Sequence, residues 1–196
     1  MKRNKYYAII LSQLVFLICL PIFLQLFSYL HPIVIFVLWM CVTVFVCFSV
    51  FLLWKQTIVI PRFILNVVFI IYACCLLILL FFRPGGQVYD SWNLVPFSTV
   101  SYFLSGEVHF LIAFYNLAAN IGLFIPFGFV LMQRVKSKPM RFIIPFLSIS
   151  IIELAQFLTQ RGSLDIDDLI LNMIGVYLGC LLTPLFLRVV IIRAKP

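Results

Sequence analysis

Charge is scarce in this sequence of 196 residues: 10% of the residues are charged, and only six are acidic, against 14 lysines and arginines. A soluble domain carries about 25% charged residues and about half apolar ones. Here 65% of the residues are hydrophobic and the mean hydropathy is +1.20. Several apolar runs approach about 20 residues, the length of a helix that crosses a bilayer. These features predict an all-α integral membrane protein whose main partner is the lipid bilayer.

The common catalytic and cofactor motifs are also absent. The sequence has no GxSxG motif, no glycine-rich phosphate loop and no HxxxH or ExxH zinc spacing that could use its two histidines, His31 and His109. The six cysteines fall inside apolar runs without metal-type spacing, which favours small buried hydrophobic side chains. We therefore predict neither a metal nor another cofactor.

Six membrane-spanning helices are predicted, at about residues 8–30, 33–54, 63–82, 109–132, 142–158 and 169–192. The first run is longer than the apolar region of a signal peptide and ends without a cleavage site, so we expect an uncleaved helix. The polar segment 83–107 is too short and too mixed to span the bilayer. We divide the chain into a three-helix anchor (1–82), a second domain (83–183) and a basic end (184–196).

The basic residues predict how these helices are oriented. All lysines and arginines except Arg83 and Arg161 fall on one side of a six-helix arrangement, without any acidic residue. The opposite side receives those two arginines together with Asp90, Glu107 and the three aspartates of the loop 164–168. Basic residues in short loops are retained in the cytoplasm. Both termini are therefore predicted to be cytoplasmic, the acidic residues to face outward, and the net charge of +8 to reflect topology rather than nucleic-acid binding.

Glu153 is an acidic residue inside the fifth predicted helix, about 8 Å from its outer end. Such a side chain costs about 2.5–3.5 kcal/mol at the bilayer centre, so Glu153 needs a partner or a proton. Gln156 and Gln160 are predicted on the same helical face. Intramembrane carboxylates are functional candidates by default, and the alternative is a buried structural hydrogen bond.

The sixth predicted helix carries Asp168, Asn172, Gly175 and Gly179 within about 60° of its circumference. Its two glycines form a small-xxx-small pattern, which predicts the close approach of another helix. The fourth predicted helix carries Asn116 and Asn120 one turn apart.

The aspartates of the loop also have purely structural interpretations. Asp168 could cap the sixth helix at its first turn. Asp165 and Asp167 are expected to be solvated loop charges, and Arg161 could pair with one of them.

Four ordered sequence blocks carry a family resemblance. They are NLVPF at 93–97, NLAANIGLFIPFG at 116–128, ELAQ at 153–156 and DIDDLILNMIGVYLG at 165–179. Together they resemble the VanZ-like family over about residues 84–183, without the first three helices. The resemblance implies a multi-pass protein of the bacterial cytoplasmic membrane that can influence susceptibility to the glycopeptide teicoplanin.

Three functions are compatible with these residues. A non-enzymatic envelope protein would bind a lipid headgroup, a cell-wall precursor, a glycopeptide or a partner protein through Asn93, Asn116, Asn120, Gln156 and Asn172. An outward-facing enzyme would use Glu153 as acid or base, Asp165 and Asp168 as metal or base groups, and Arg161 to hold an anionic headgroup. A proton-coupled transporter is disfavoured, because the inner half of the predicted bundle has no ionisable group for a relay. Whether the protein is an enzyme stays open.

The orientation is testable with reporter tags. We expect tags fused at residues 1 and 196 to be protected from an impermeant reagent in intact cells, and a tag inserted in the segment 83–107 to react. Tags at the two ends that report from opposite sides would contradict this topology.

Overall fold

The computed structural model describes residues 2–26, 33–82, 91–107 and 110–193. Within these ranges, six helices are long and apolar enough to cross a membrane, which confirms the predicted all-α membrane fold. The helices are α1 (Lys2–Leu26), α2 (Ile33–Leu53), α3 (Arg62–Phe81), α4 (Ser98–Leu104), α5 (Phe110–Arg134), α6 (Lys138–Leu158) and α7 (Ile166–Val189). The strands are β1 (Ile58–Pro61), β2 (Trp92–Asn93), β3 (Leu164–Asp165) and β4 (Val190–Arg193).

The long helices expose large apolar side chains along their length. Ile18 is 75% exposed, Phe45 70%, Phe63 76%, Ile151 66% and Leu181 64%. In water, so much exposed apolar surface would promote aggregation, whereas in a bilayer it contacts lipid. The protein is therefore a multi-pass membrane protein.

The last helix begins and ends about three residues earlier than predicted. It ends at Val189 rather than near residue 192, and Val190–Arg193 pairs in parallel with Ile58–Pro61, so that Ile60 lies opposite Ile192. Both segments are rich in β-branched residues, which favour extended backbone. An apolar run alone does not distinguish a helix end from a short strand, and the prediction missed this pairing for that reason.

The chain forms two compact units: residues 1–85 with 184–196, and residues 86–183. In the first unit, α1 and α2 are joined by polar contacts. Trp39 Nε1 donates a hydrogen bond to Gln13 Oε1 at 2.8 Å, and Gln13 Nε2 donates to Thr43 Oγ1 at 3.4 Å. A buried apolar cluster then holds β4 against α1 and α2; its core is Ala8, Val50, Phe51, Val189 and Val190.

In the second unit, α5 and α7 lie in direct backbone contact. A Cβ atom added at Gly175 would overlap the carbonyl oxygen of Ile121, and one at Gly179 would overlap that of Ile125. Gly128 of α5 faces α7 in the same way, against the carbonyl oxygen of Val176. Because contacting positions increase together along both helices, α5 and α7 run in the same direction. The small-xxx-small pattern of α7 thus lies against α5.

Two alanine substitutions test this contact. Gly175→Ala should destabilise the protein by about 1–3 kcal/mol, because the added methyl group must separate α5 from α7. Gly122→Ala is the matched control in α5, since a Cβ there meets nothing within 4 Å. The measurement is the unfolding midpoint in mixed detergent micelles. Equal midpoints for the two variants would contradict the close approach.

Candidate functional site

Hydrogen bonds between amide and carboxylate side chains connect α7 to α5 and to α6. Asn120 Nδ2 of α5 donates to Asp168 Oδ1 at 2.5 Å, and Asn172 Nδ2 of α7 donates to Glu153 Oε1 of α6 at 3.4 Å. Glu153 is 6% exposed and Asn172 is 3% exposed, whereas Asn120 and Asp168 are half-buried. Asp168 and Asn172 are one helical turn apart on one face of α7. We call the four residues Asn120, Glu153, Asp168 and Asn172 the interhelical polar cluster.

Asn172 has one polar atom without a partner. Its side-chain oxygen Oδ1 is buried and accepts no hydrogen bond from the described residues, although its nitrogen donates to Glu153. Leaving a buried acceptor unsatisfied costs about 1–3 kcal/mol. The cluster therefore contains a buried position at which a hydrogen-bond donor would be stabilised.

The end of α6 positions Gln156 beside this cluster. The helix closes with the two bonds of a Schellman motif, from Gln160 N to the Phe157 carbonyl (3.0 Å) and from Arg161 N to the Gln156 carbonyl (2.8 Å). Gln160 occupies the left-handed position with φ 55° and is exposed, so the prediction that it shares the face of Glu153 is wrong. Gln156 itself is 3% exposed, and a Cβ added at Gly162 would lie 3.2 Å from its Cβ.

Asp165 caps α7 and ties the loop to the segment 91–107. Its Oδ1 accepts the backbone N–H of Asp167 at 2.9 Å, the bond that an N-cap residue makes. It also accepts from Asn93 Nδ2 at 3.3 Å and from Thr99 Oγ1 at 2.5 Å. The capping contact that was considered for Asp168 is therefore made by Asp165.

Asp167 lies at the first turn of the short helix α4. One carboxylate oxygen accepts the backbone N–H of Phe97 at 2.5 Å, and the other accepts those of Thr99 at 2.8 Å and Val100 at 3.1 Å. These are N–H groups that a helix leaves without an intrahelical partner. Asp167 is 0% exposed and Asp165 is 8% exposed, so the expectation of solvated loop charges is wrong for both.

The importance of Asp167 was missed by the sequence reasoning. The only sequence signal was indirect: the residue before α4 is Phe97, whose side chain cannot cap a helix. A helix start without its own cap needs an acceptor from elsewhere in the chain.

Asn93 belongs to this anchored loop rather than to the interhelical polar cluster. Its Oδ1 accepts the backbone N–H of Val95 at 3.1 Å, which forms a turn, and its Nδ2 donates to Ser98 Oγ at 2.5 Å. Through its contact with Asp165, and through the parallel pairing of β2 with β3, it joins the segment 91–107 to the start of α7.

The remaining predicted site residues lie around these two groups. Asn116 is half-buried on α5, one turn before Asn120, and Arg161 is exposed in the loop after α6. Among the described residues, no ion pair links Arg161 to an aspartate, a pairing that the sequence allowed but did not require. In the same part of the chain, no group of three or more histidine, cysteine, aspartate or glutamate side chains could hold a metal ion. His31 and His109 lie outside the described residues.

A comparison with protein families finds one whose description reads VanZ/LLP1, matching residues 69–187. This range is more than half of the chain. It begins inside α3 and ends in the last turn of α7, so it extends beyond the predicted 84–183 on both sides and includes every residue of the interhelical polar cluster. No curated protein and no solved structure matches the chain.

Asp167 gives a direct test of how the segment 91–107 is held. Asp167→Asn replaces one acceptor oxygen by an amide donor that faces backbone N–H groups, so we expect a loss of about 1.5–3 kcal/mol in the attachment of α4. The measurement is the rate of limited proteolysis within residues 91–107 in detergent. Glu107→Gln, an exposed acidic residue of the same segment, is the control. Equal cleavage rates for the two variants would contradict the anchoring role.

Proposed function

This chain belongs to the VanZ/LLP1 family, and we propose that it is a non-enzymatic protein of the bacterial cell envelope that binds an envelope molecule at the interhelical polar cluster. The ligand is a membrane lipid, a lipid-linked cell-wall precursor or a glycopeptide. Binding lowers susceptibility to glycopeptides such as teicoplanin, the drug with which the VanZ family is linked. In this proposal the protein resides in the cytoplasmic membrane and the cluster faces outward.

The unpartnered Oδ1 atom of Asn172 carries this proposal. A purely structural contact between α6 and α7 would satisfy both ends of the Asn172 amide, because a buried unsatisfied acceptor destabilises the fold. Only the nitrogen end is used, in a long bond to Glu153. The oxygen end is therefore suited to a group that arrives from outside the chain.

The distribution of basic residues supports the outward orientation. In the second unit, α5 ends at Arg134 and α6 begins at Lys138, with Lys136 in the turn between them. The interhelical polar cluster lies toward the other ends of these helices, near the start of α7. Because basic turns are retained in the cytoplasm, the cluster belongs to the opposite membrane face.

Catalysis is the second candidate, and Glu153 is the observation in its favour, since a buried carboxyl group is a candidate acid or base. Two other residues assigned to the enzyme hypothesis, Asp165 and Arg161, have positions that do not favour catalysis. Asp165 holds Asn93, Thr99 and the first turn of α7, and Arg161 is exposed beyond the end of α6. An enzyme here would depend on Glu153 and Asp168.

Susceptibility measurements with precursor analysis separate the two candidates. We expect expression of the wild-type chain in a susceptible host to raise the inhibitory concentration of teicoplanin and to leave the mass-spectrometric profile of lipid-linked precursors unchanged, with vancomycin measured in parallel. Glu153→Gln, which retains an acceptor oxygen, should reduce the effect without abolishing it. Gly175→Leu should abolish it, because the leucine separates α5 from α7.

Two outcomes of these measurements would contradict the proposal. An altered precursor profile that is lost in both Glu153→Gln and Asp168→Asn, with normal membrane insertion, would establish catalysis and refute the binding proposal. No change in teicoplanin susceptibility with the wild-type chain would refute the link to glycopeptides. Glu107→Gln serves as the control for loss of an acidic residue outside the cluster.

A further inference from the structure

We propose that the interhelical polar cluster binds a primary ammonium group, held between the Asn172 Oδ1 atom and the carboxylates of Glu153 and Asp168. This inference rests on the proposed function and specifies the chemistry of the ligand. The ammonium belongs to a membrane-embedded molecule, either a phospholipid with an amino headgroup or a lipid-linked precursor with an amino side chain.

A ligand of the cluster must donate a hydrogen bond, because the buried atom that lacks a partner among the described residues is an acceptor. The amide nitrogens of Asn120 and Asn172 already donate to Asp168 and Glu153. The group left over is an acceptor, the Oδ1 atom of a side chain that is only 3% exposed. A ligand that offers only acceptors, such as a phosphate or a carboxylate, cannot satisfy this atom.

The charges of the cluster select the kind of donor. Glu153 lies on one side of Asn172, and Asp168 lies one turn away along α7. Two carboxylates near one position repel an anion and attract a cation, and the attraction is stronger at a buried site than in water. A donor that carries a positive charge therefore fits better than a neutral hydroxyl group.

A primary ammonium meets both requirements. It has three N–H donors and no acceptor, as in the side chain of lysine. The cluster offers three acceptor groups, namely two carboxylates and the amide oxygen of Asn172. A quaternary ammonium has the same charge but no N–H group, so it could not satisfy the Oδ1 atom. The cluster should therefore distinguish these two cations.

The depth of the cluster suits a ligand whose acyl chains lie in the bilayer. Asp168 is in the first turn of α7, and Glu153 precedes the end of α6 by five residues, about 8 Å along the axis. Other faces of α6 are apolar and exposed, as Ile151 and Leu154 show, and would contact lipid in a membrane. An amino headgroup can reach the depth of the cluster from the membrane surface while its acyl chains stay in the bilayer.

The test compares two lipids that differ only in N-methylation. The full chain is reconstituted with phosphatidylethanolamine and phosphatidylcholine of identical acyl chains, and retained lipid is measured by native mass spectrometry. We expect phosphatidylethanolamine to be retained about tenfold more strongly, the factor of roughly one hydrogen bond to a charged group. Asn172→Leu should remove this preference, whereas Gln133→Leu, an exposed amide of α5 outside the cluster, should retain it.

A second binding experiment identifies the molecule that supplies the ammonium group. In phosphatidylcholine discs, a lipid-linked precursor with a free amino side chain is compared with its N-acetylated form, and preferential binding of the free amine points to the precursor. A second variant then controls for misfolding of Asn172→Leu. Glu153→Gln keeps the shape of the side chain and should weaken ammonium binding in whichever arm is positive.

Equal retention of both lipids together with equal binding of both precursors would overturn the ammonium inference. A teicoplanin effect that persists under that result would leave the proposed function intact, because the susceptibility assay does not depend on the nature of the ligand group.

Discussion

The backbone contact between α5 and α7 is the constraint on which the site depends. Because Gly175 and Gly179 have no Cβ, the backbone of α7 approaches the carbonyl groups of α5. Helices at this separation allow even short polar side chains to meet, so Asn120 reaches Asp168 at 2.5 Å. A larger residue at either glycine would move the two helices apart and lengthen this bond. Packing and polar chemistry are thus coupled in one helix pair.

The three aspartates at the start of α7 have three different roles, which their backbone positions explain. Asp165 lies before the first residue of α7 and caps that helix, and Asp167 reaches the open N–H groups of α4. Asp168 follows on the side of α7 that faces α5 and meets Asn120. Residues 165 and 167 therefore fix the segment 91–107 to the start of α7, which leaves residue 168 for the cluster between the helices.

Sequence patterns predicted the long helices and the residues that line the close helix pair, because both follow from local regularities. Apolar runs of about 20 residues and glycines at four-residue spacing are properties of one segment at a time. Most of the missed features are pairings between distant segments. The pairing of Ile60 with Ile192 and that of Asp167 with the start of α4 depend on where another part of the chain lies. No local pattern in the sequence specifies these partners.

The contrast between Asp165 and Asn172 is the reason for proposing that the cluster binds a ligand in addition to joining the helices. Asp165 is buried and each of its carboxylate oxygens accepts a hydrogen bond from the chain, as expected of a group whose role is to hold segments together. Asn172 is at least as buried, yet its oxygen accepts none from the described part of the chain. In a membrane, where water cannot easily compensate, the unsatisfied oxygen destabilises the fold, and a donor from a ligand would remove this destabilisation. Under the proposed function, the free energy recovered on binding would contribute to affinity, and the two neighbouring carboxylates would favour a cationic donor.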